Sequence, residues 1–449
     1  MPVEPLGSCE IESRKRGYVL LTELHTAEIP DVYARFASVV GDKHWKQRVA
    51  VLKQEIKGNP FLRDHLMHEN ALAFQLDRLR EMAEKFGRVP PWEVNNHELF
   101  PAASFCAQVL SFMDISPKQL SAQFRRRVHG ALKNPDDMRG LRLEFAAATH
   151  FLRRRRTASW PEMTGEGTFD LLVTDVGPTG LEVECKSISI DKGRKIHKRE
   201  SLDFFSLLHP HLKSTIVGLS SGLSAAITVP GRLPTSFRDR QALAKDAAAA
   251  IFHGHSATLS NGCVLRLNDF DVSRLGNVSR AQGTHEVREA MDEVTGTSNR
   301  HTLIIGTGAG GALALAIQSA GDDTFMDSVF CTLKDSASRQ MSGQRGGMFF
   351  VGFQGIDGNQ LRSIASQDED PAQHATALRI GVSNFLGGTG RDHVIGVGFL
   401  SESGLSPAHD GLVESGGTAY YFPKRESPFW SESFSGLFTW DASARAKSA

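Results

Sequence analysis

The chain lacks the features that assign a protein to a broad class at once. Its 51 lysines and arginines balance 51 aspartates and glutamates, so the formal net charge is zero. No global positive field indicates a nucleic-acid partner, and local patches of charge would have to hold one. The cysteines are odd in number, widely spaced and form no CxxC pair; they stand at positions 9, 106, 185, 263 and 331. This usage is typical of reduced thiols in a cytoplasmic protein.

Long apolar stretches are missing too. The sequence has no run of about 18 apolar residues, and it does not open with a basic segment followed by an apolar run. We therefore expect neither secretion nor a membrane partner. What the chain does have is 449 residues with 40% hydrophobic content. This is enough to bury a sizeable core in two or three structural units.

The first part of the chain has a helical pattern. Between about residues 30 and 152, apolar residues recur every three or four positions among many charges, as in Leu79, Met82 and Phe86. A break around Asn134 supplies capping residues for a further helix at about 138–155. The pattern predicts an all-helical N-terminal domain that spans residues 1–134.

Beyond Trp160 the pattern changes to short apolar runs between turns, with helices among them. Runs at 169–174, 181–188 and 223–229 have the length and composition of strands. Alternation of strands and helices predicts an α/β fold. We expect a core domain over residues 135–260, and a C-terminal α/β region over 261–449 that either stands apart or extends the core sheet.

One window of this core carries a row of chemically useful side chains. A Gly/Pro turn at 177–180 separates two short runs, which predicts a hairpin. Alternation along the second strand places Glu182, Glu184 and Lys186 on one face and apolar residues on the other. Asp170 stands on the first strand. Two carboxylates and an amine thus share one face with an aspartate close by.

Phosphodiester hydrolysis is a chemistry that needs this arrangement. Mg²⁺ prefers hard oxygen ligands, usually one or two carboxylates completed by water and substrate phosphate. Asp170 and Glu184 can supply those carboxylates across the hairpin, with the backbone carbonyl of Cys185 as a further ligand. Lys186 can orient a water and offset charge on the transition state. The plain alternative is an exposed hairpin with a salt-bridged polar face, and Glu182 has no assigned role in either case.

The order of these residues resembles the PD-(D/E)XK, or restriction-endonuclease-like, nuclease superfamily. The matching positions are Asp170 and the triplet Glu184-Cys185-Lys186. Many members also place a glutamate on the helix before the hairpin, and Glu144 matches it beside an apolar stripe that includes Phe145.

The resemblance implies a restriction-endonuclease-like mixed sheet flanked by helices and an endonuclease that uses Mg²⁺, for which Mn²⁺ substitutes. It implies catalytic roles for Asp170, Glu184, Lys186 and Glu144. It implies metal ligation by Asp170, Glu184, Cys185 and Glu144. The expected substrate is DNA, the expected setting is restriction or anti-phage defence, and the expected partner is a second copy of the chain or another protein of a defence system.

Basic clusters lie on both sides of this window. One run of arginines is Arg125 to Arg127, and a second consists of Arg153, Arg154, Arg155 and Arg156. In the family, the helix after the signature strand often helps to hold DNA; here residues 192–208 take that place, beginning with Lys192, Arg194, Lys195 and Lys198. Clustered arginines and lysines can hold a phosphate backbone, although such runs are often only solvated faces.

Two other functions stay open. The chain is alternatively a catalytically silent nucleic-acid-binding or assembly protein with a nuclease-like fold. It is alternatively a nucleotide-binding regulator, because an apolar run ends in the glycine-rich segment 306–311. That segment is not a clean GxGxxG motif, and no acidic ribose ligand follows at the usual distance.

Overall fold

A computed structural model describes residues 24–275, 285–297, 300–402, 405–407, 411–415 and 418–438. Cys9 lies outside the described residues. The remaining cysteines are free thiols, of which Cys331 is exposed and the others are buried. No helix in the described part of the chain is long and apolar enough to cross a membrane.

The described residues form an α/β structure whose elements we number in chain order. The helices are α1 Ile29–Val40, α2 Lys43–Gly58, α3 Arg63–Glu69, α4 Ala71–Phe86, α5 Phe100–Ile115, α6 Lys118–Ala131, α7 Pro135–Arg153, α8 Pro161–Thr164, α9 Lys198–Leu208, α10 Lys213–Gly218, α11 Phe237–Phe252, α12 His285–Thr295, α13 Phe325–Arg339, α14 Gly358–Glu369 and α15 Ala377–Leu386. The strands are β1 Ala158–Ser159, β2 Leu171–Val173, β3 Leu181–Ile188, β4 Gly222–Val229, β5 Ala257–Thr258, β6 Val264–Phe270, β7 His301–Gly306, β8 Ala312–Ser319, β9 Gly346–Asp357, β10 Val394–Glu402, β11 Leu405–Pro407, β12 Val413–Ser415 and β13 Ala419–Pro423.

The chain divides into two compact units, each built from segments that are distant in sequence. Unit 1 comprises the described residues of Met1–Val51, Asn70–Lys192 and Met326–Ala449. Unit 2 comprises those of Leu52–Glu69 and Gly193–Phe325. Each unit contains a mixed sheet of its own.

The sheet of unit 1 carries the predicted hairpin. Its strand order is β1-β2-β3-β9-β10-β13. Strands β2 and β3 are antiparallel, with Leu171 opposite Val183, so the hairpin is confirmed. Strand β3 then pairs in parallel with β9, and β9 pairs in parallel with β10. Strands from the last third of the chain therefore extend the sheet to which the hairpin belongs.

Glycines make the hairpin turn possible. Gly177 and Gly180 have φ angles of 67° and 85°, a region that side chains with a Cβ rarely adopt. A Cβ on Gly180 would also lie 3.0 Å from the carbonyl oxygen of Val173. The turn thus needs glycine at the place where the chain reverses toward Glu184.

Helices and sheet share one hydrophobic core in unit 1. Phe36 of α1 contacts Phe105 of α5, which contacts Phe145 of α7, with ring centroids 6.1 and 6.2 Å apart. The same cluster of buried residues continues into the sheet through Leu181 and Val183. Full burial of each such side chain contributes about 1.5–3 kcal/mol. The structure does not set the N-terminal helices apart from the sheet as a separate core.

Unit 2 contains the second sheet, in the order β5-β6-β4-β8-β7. Strands β4 and β8 pair in parallel, and the other described pairs of this sheet are antiparallel. Helix α9 begins at Lys198, where His197 and Glu200 form a capping box. The prediction that this helix begins at Lys192 is wrong, because it begins at Lys198. Gly193 takes a left-handed φ of 69° in the turn that precedes the helix.

Candidate active site

The polar face of β3 is buried. Leu181, Val183 and Cys185 point into the core cluster, as their alternation predicts. On the opposite face, Glu182 and Glu184 are 0% and 1% exposed. The alternative of an exposed hairpin with a salt-bridged polar face is therefore wrong in its exposure, although Glu184 and Lys186 do form an ion pair. The burial of two carboxylates on one face needs a specific explanation.

Asp170 is connected to the second strand by a hydrogen bond. Its Oδ2 accepts the backbone N–H of Cys185 at 2.7 Å. Burial raises the pKa of Asp170, although this hydrogen bond and the charges of Lys186 and Arg127 act in the opposite direction. Asp170 stands directly before β2 and not on the strand, where it was predicted, and its hydrogen bond places it next to the triplet Glu184-Cys185-Lys186.

Glu184 is the buried carboxylate of the triplet. Burial, followed by the charge of Asp170, raises the pKa of Glu184 to about 7. Its Oε1 lies 2.6 Å from Nζ of Lys186. Neither carboxylate oxygen accepts a hydrogen bond of good geometry from a described residue. A buried carboxylate with open acceptor positions is the kind of group that a cation satisfies.

Glu144 faces the same site from helix α7. Burial, followed by the charge of Asp170, raises the pKa of Glu144 to about 8. Arg127 of helix α6 donates to Oε1 of Glu144, while Oε2 has no hydrogen-bond partner among the described residues. The side chain of Arg127 is 32% exposed against 5% for Glu144. The structure thus brings Glu144 into the electrostatic neighbourhood of Asp170, as the order of residues predicts.

The sequence pattern did not predict a role in the site for three further residues. Arg127 belongs to an arginine run noted in the sequence, but nothing in that run marks it as the partner of Glu144. Glu162 on helix α8 is exposed and raises the pKa of Asp170, Glu144 and Glu184. Gln340, just after α13, accepts a hydrogen bond from Nζ of Lys186 at 2.8 Å. No sequence signal points to Glu162 or Gln340.

Glu182 has a structural partner of its own. Its Oε2 accepts the backbone N–H of Ser342 at 2.8 Å, and its Oε1 accepts the Ser342 hydroxyl. Arg345 lies 3.9 Å from the same carboxylate. The buried charge of Glu182 is satisfied by the segment after α13, which makes Glu182 an anchor for that segment rather than a solvated neighbour of the site.

The second arginine run separates into two kinds of side chain. Arg154 donates to the carbonyl of His150 at 3.1 Å, and Arg156 donates to the carbonyl of Asp175 at 3.1 Å. Arg153 and Arg155 are exposed. Arg154 and Arg156 therefore bond to backbone carbonyls, while the side chains of Arg153 and Arg155 reach solvent.

The lysines and arginine after β3 belong to different units. Lys192 is the last residue of its segment in unit 1, whereas Arg194, Lys195 and Lys198 belong to unit 2. All of them are half-buried. Lys192 to Lys195 lie in the turn before α9 rather than on a helix.

The carboxylate oxygens of the site suit a divalent cation, but they are not arranged around one common position. Asp170, Glu184 and Glu144 offer hard oxygens, some of them buried and without hydrogen bonds. Among the residues that the structure describes, however, no group of three or more His, Cys, Asp or Glu side chains is placed to hold a metal ion. The site thus offers carboxylate oxygens from Asp170, Glu184 and Glu144 without arranging all three as one ligand set.

The glycine-rich segment 306–311 does not have the geometry of a nucleotide-binding turn. It connects β7 to β8, which are antiparallel, with Gly306 opposite Ala312. Thr307 closes the turn, since its N–H donates to the carbonyl of Gly311 and its Oγ1 accepts the N–H of Gly311. A phosphate-binding turn of the Rossmann type leads from a strand into a helix N-terminus, and here a strand follows.

No family model, curated protein or solved structure matches this chain. The resemblance to the PD-(D/E)XK superfamily therefore stays a prediction.

Proposed function

We propose that this protein is a Mg²⁺-dependent nuclease of the PD-(D/E)XK type, with a restriction-endonuclease-like core formed by helix α7 and the sheet of unit 1. The observation that carries the proposal is a cluster on one hairpin, in which the buried Glu184 lies with the half-buried Asp170 and Lys186. A protein that needed only a stable strand would gain nothing from burying these charges together. Burial of such a group beside an amine is typical of a site that does chemistry.

Each residue of the hairpin has a role in this proposal. Asp170 and Glu184, with the Cys185 carbonyl, would hold Mg²⁺ or Mn²⁺, and Glu144 would support them. When bound, the ion would act as a Lewis acid on the phosphate and provide an activated water. Lys186 keeps its ammonium beside Glu184, where it can offset negative charge that develops on the phosphate in the transition state.

Arg127 is a further residue to which we assign a role, on the basis of its position. It is the partly exposed partner of the buried Glu144. A guanidinium can bind two phosphate oxygens at once while part of it stays paired with a carboxylate. We assign Arg127 to substrate phosphate binding, with Glu144 as the group that orients it.

The substrate and setting follow from the family resemblance alone. DNA is the proposed substrate, and Arg153 and Arg155 are the exposed contacts of unit 1 for its backbone, together with Lys192. Arg194, Lys195 and Lys198 are the proposed contacts of unit 2. The N-terminal helices would recognise the target or a partner protein. A second copy of the chain would allow both DNA strands to be cut. Restriction or anti-phage defence is the proposed setting.

The catalytically silent alternative is favoured by one specific observation. Each carboxylate of the site has an internal partner: Cys185 for Asp170, Lys186 for Glu184 and Arg127 for Glu144. Such pairing offsets part of each charge without any metal. A protein of this kind would bind nucleic acid through its basic residues and leave it intact.

Cleavage assays decide between the two functions. Plasmid DNA, single-stranded DNA and RNA are incubated with Mg²⁺ or Mn²⁺ and the wild-type protein, Asp170→Ala or Lys186→Ala. Exposed residues of the same types, in Asp246→Ala and Lys118→Ala, serve as matched controls. Cleavage that falls roughly 100-fold or more in the site variants alone supports the nuclease. Binding without cleavage under every condition supports the silent protein.

A further inference from the structure

The backbone of Gln340 is fixed on both sides. Its N–H donates to the carbonyl of Ser336 at 2.9 Å, which continues the hydrogen bonding of helix α13. Its carbonyl accepts the hydroxyl of Thr168 at 2.6 Å. Thr168 stands two residues before Asp170 in the sequence. Gln340 is therefore connected through its backbone to the segment that presents Asp170.

The side chain of Gln340 reaches the other strand of the hairpin. Its Oε1 accepts a hydrogen bond from Nζ of Lys186 at 2.8 Å, while Oε1 of Glu184 lies 2.6 Å from the same Nζ. A lysine ammonium has three rotatable donors on a long flexible chain, so a single acceptor leaves its position poorly defined. A hydrogen bond to Gln340 together with an ion pair to Glu184, from different elements, restricts the ammonium much more strongly.

The segment that carries Gln340 is held firmly to the polar face of β3. Ser342 donates both its N–H and its hydroxyl to the buried Glu182. Glu182 and Lys186 lie on the same face of one strand. The segment from Gln340 to Ser342 thus spans this face, with an anchor at Glu182 and a polar contact at Lys186.

We propose that Gln340 is a positioning residue for Lys186, and this inference rests on the proposed nuclease function. Its side-chain oxygen shares the ammonium with Glu184 and holds it at the carboxylate pair. Gln340 acts through Lys186 and makes no contact with substrate of its own. Because the backbone of Gln340 is bonded to Ser336 and Thr168, a change of its side chain removes the acceptor and leaves the segment in place.

Kinetics test the inference through two variants of matched size. Gln340→Met removes the acceptor, and Gln340→Glu keeps an oxygen at the same reach. We expect Gln340→Met to lower kcat by about tenfold to a hundredfold, the effect of one hydrogen bond to a charged group, with KM little changed. Gln340→Glu retains most of the activity. On a Lys186→Ala background, Gln340→Met has no further effect, because the group it positions is gone.

A structural role would give a different pattern. Gln340→Met would then lower the activity of wild type and of Lys186→Ala by the same factor, and Gln340→Glu would not rescue it. Either result overturns the inference.

A labelling experiment that needs no catalysis separates the two proposals. The rate at which an acylating reagent modifies Lys186 is measured by mass spectrometry, with the exposed Lys118 as the internal reference. We expect the rate at Lys186 to rise several-fold in Gln340→Met and not in Gln340→Glu. An unchanged rate contradicts the positioning role even if the protein is a nuclease. If the labelling rates at Lys186 are as expected but no assay detects cleavage, the result contradicts the proposed nuclease instead.

Discussion

Asp170 and Cys185 are joined across the hairpin by a hydrogen bond of 2.7 Å from the Cys185 N–H to Oδ2 of Asp170. Cys185 stands between Glu184 and Lys186 on the same strand. The bond therefore couples the first strand of the candidate site to the position of both side chains on the second. The same aspartate is a proposed metal ligand.

Asp170→Asn separates those two roles. The amide keeps an oxygen for the Cys185 N–H, removes a buried charge and abolishes the proposed metal ligand. We expect a melting temperature at or above that of wild type, with cleavage lost. Asp170→Ala leaves the N–H without its partner and is less stable by about 1–3 kcal/mol. Thermal unfolding and cleavage assays on both variants check this, and equal destabilisation by the two would contradict the role of the hydrogen bond.

The raised pKa values predict a specific dependence of stability on pH. In the metal-free protein the folded-state pKa of Glu184 is about 7 and that of Glu144 about 8, above the ordinary value near 4.5. The folded state binds these protons more tightly than the unfolded state, so their contribution to stability is complete below pH 4.5, declines from there, and is gone once the pH has passed about 7 for Glu184 and about 8 for Glu144. We expect the metal-free melting temperature to fall over that window.

Two comparisons identify the groups responsible for this pH dependence. Glu184→Gln cannot ionise, so it should flatten the fall by on the order of 1–3 kcal/mol at pH 8. Added Mg²⁺ should stabilise wild type more at pH 8 than at pH 6, because the ligands must be deprotonated. A profile that is the same in wild type and Glu184→Gln would show that other groups control the stability.

Arg127 and Glu144 should behave as one unit. Above pH 8, where Glu144 is ionised, Arg127→Met leaves a buried carboxylate without its cation. We expect a loss of about 1–3 kcal/mol there, reduced from the fully buried case by the partial exposure of the arginine. The double variant Arg127→Met/Glu144→Gln should recover much of this loss. Unfolding free energies of the four proteins form a double-mutant cycle, and strictly additive losses would rule out the pair.

Glu182 should prove to be structural. Glu182→Ala removes both acceptors of Ser342 from a fully buried position, and we expect destabilisation of about 2–4 kcal/mol. Ser342→Ala removes only the hydroxyl and should cost about 1 kcal/mol. Neither change should weaken Mn²⁺ binding by calorimetry. A variant at Glu182 that folds normally but loses Mn²⁺ would make it a metal ligand.

Arg155 should contribute to nucleic-acid binding without contributing to stability. Its side chain is exposed, whereas the neighbouring Arg154 bonds to His150. We expect Arg155→Gln to reduce the dependence of log K on log salt by about one unit at an unchanged melting temperature. Arg154→Gln should lower the melting temperature. Fluorescence anisotropy over a salt series measures the slope, and an identical slope in Arg155→Gln would remove it from the interface.

The local sequence pattern was sufficient to predict the hairpin and the two faces of its second strand. The side-chain period of a strand is two, so Glu182, Glu184 and Lys186 had to share a face once 181–188 formed a strand. Turn glycines and apolar runs indicated the reversal before it. The order of helix glutamate, hairpin aspartate and Glu-x-Lys likewise follows from the sequence alone, together with an α/β class.

Only the tertiary structure decided that this polar face is buried and which residues surround it. Strand β3 gains β9 as a parallel neighbour from residues 346–357, and the two-unit division joins segments far apart in the chain. Backbone hydrogen bonds between strands carry no residue identity, so spacing along the chain could not predict this pairing. The same reason explains why Arg127 and Gln340 were not foreseen as partners of Glu144 and Lys186: their contacts arise from packing between elements, which leaves no periodic signal in the sequence.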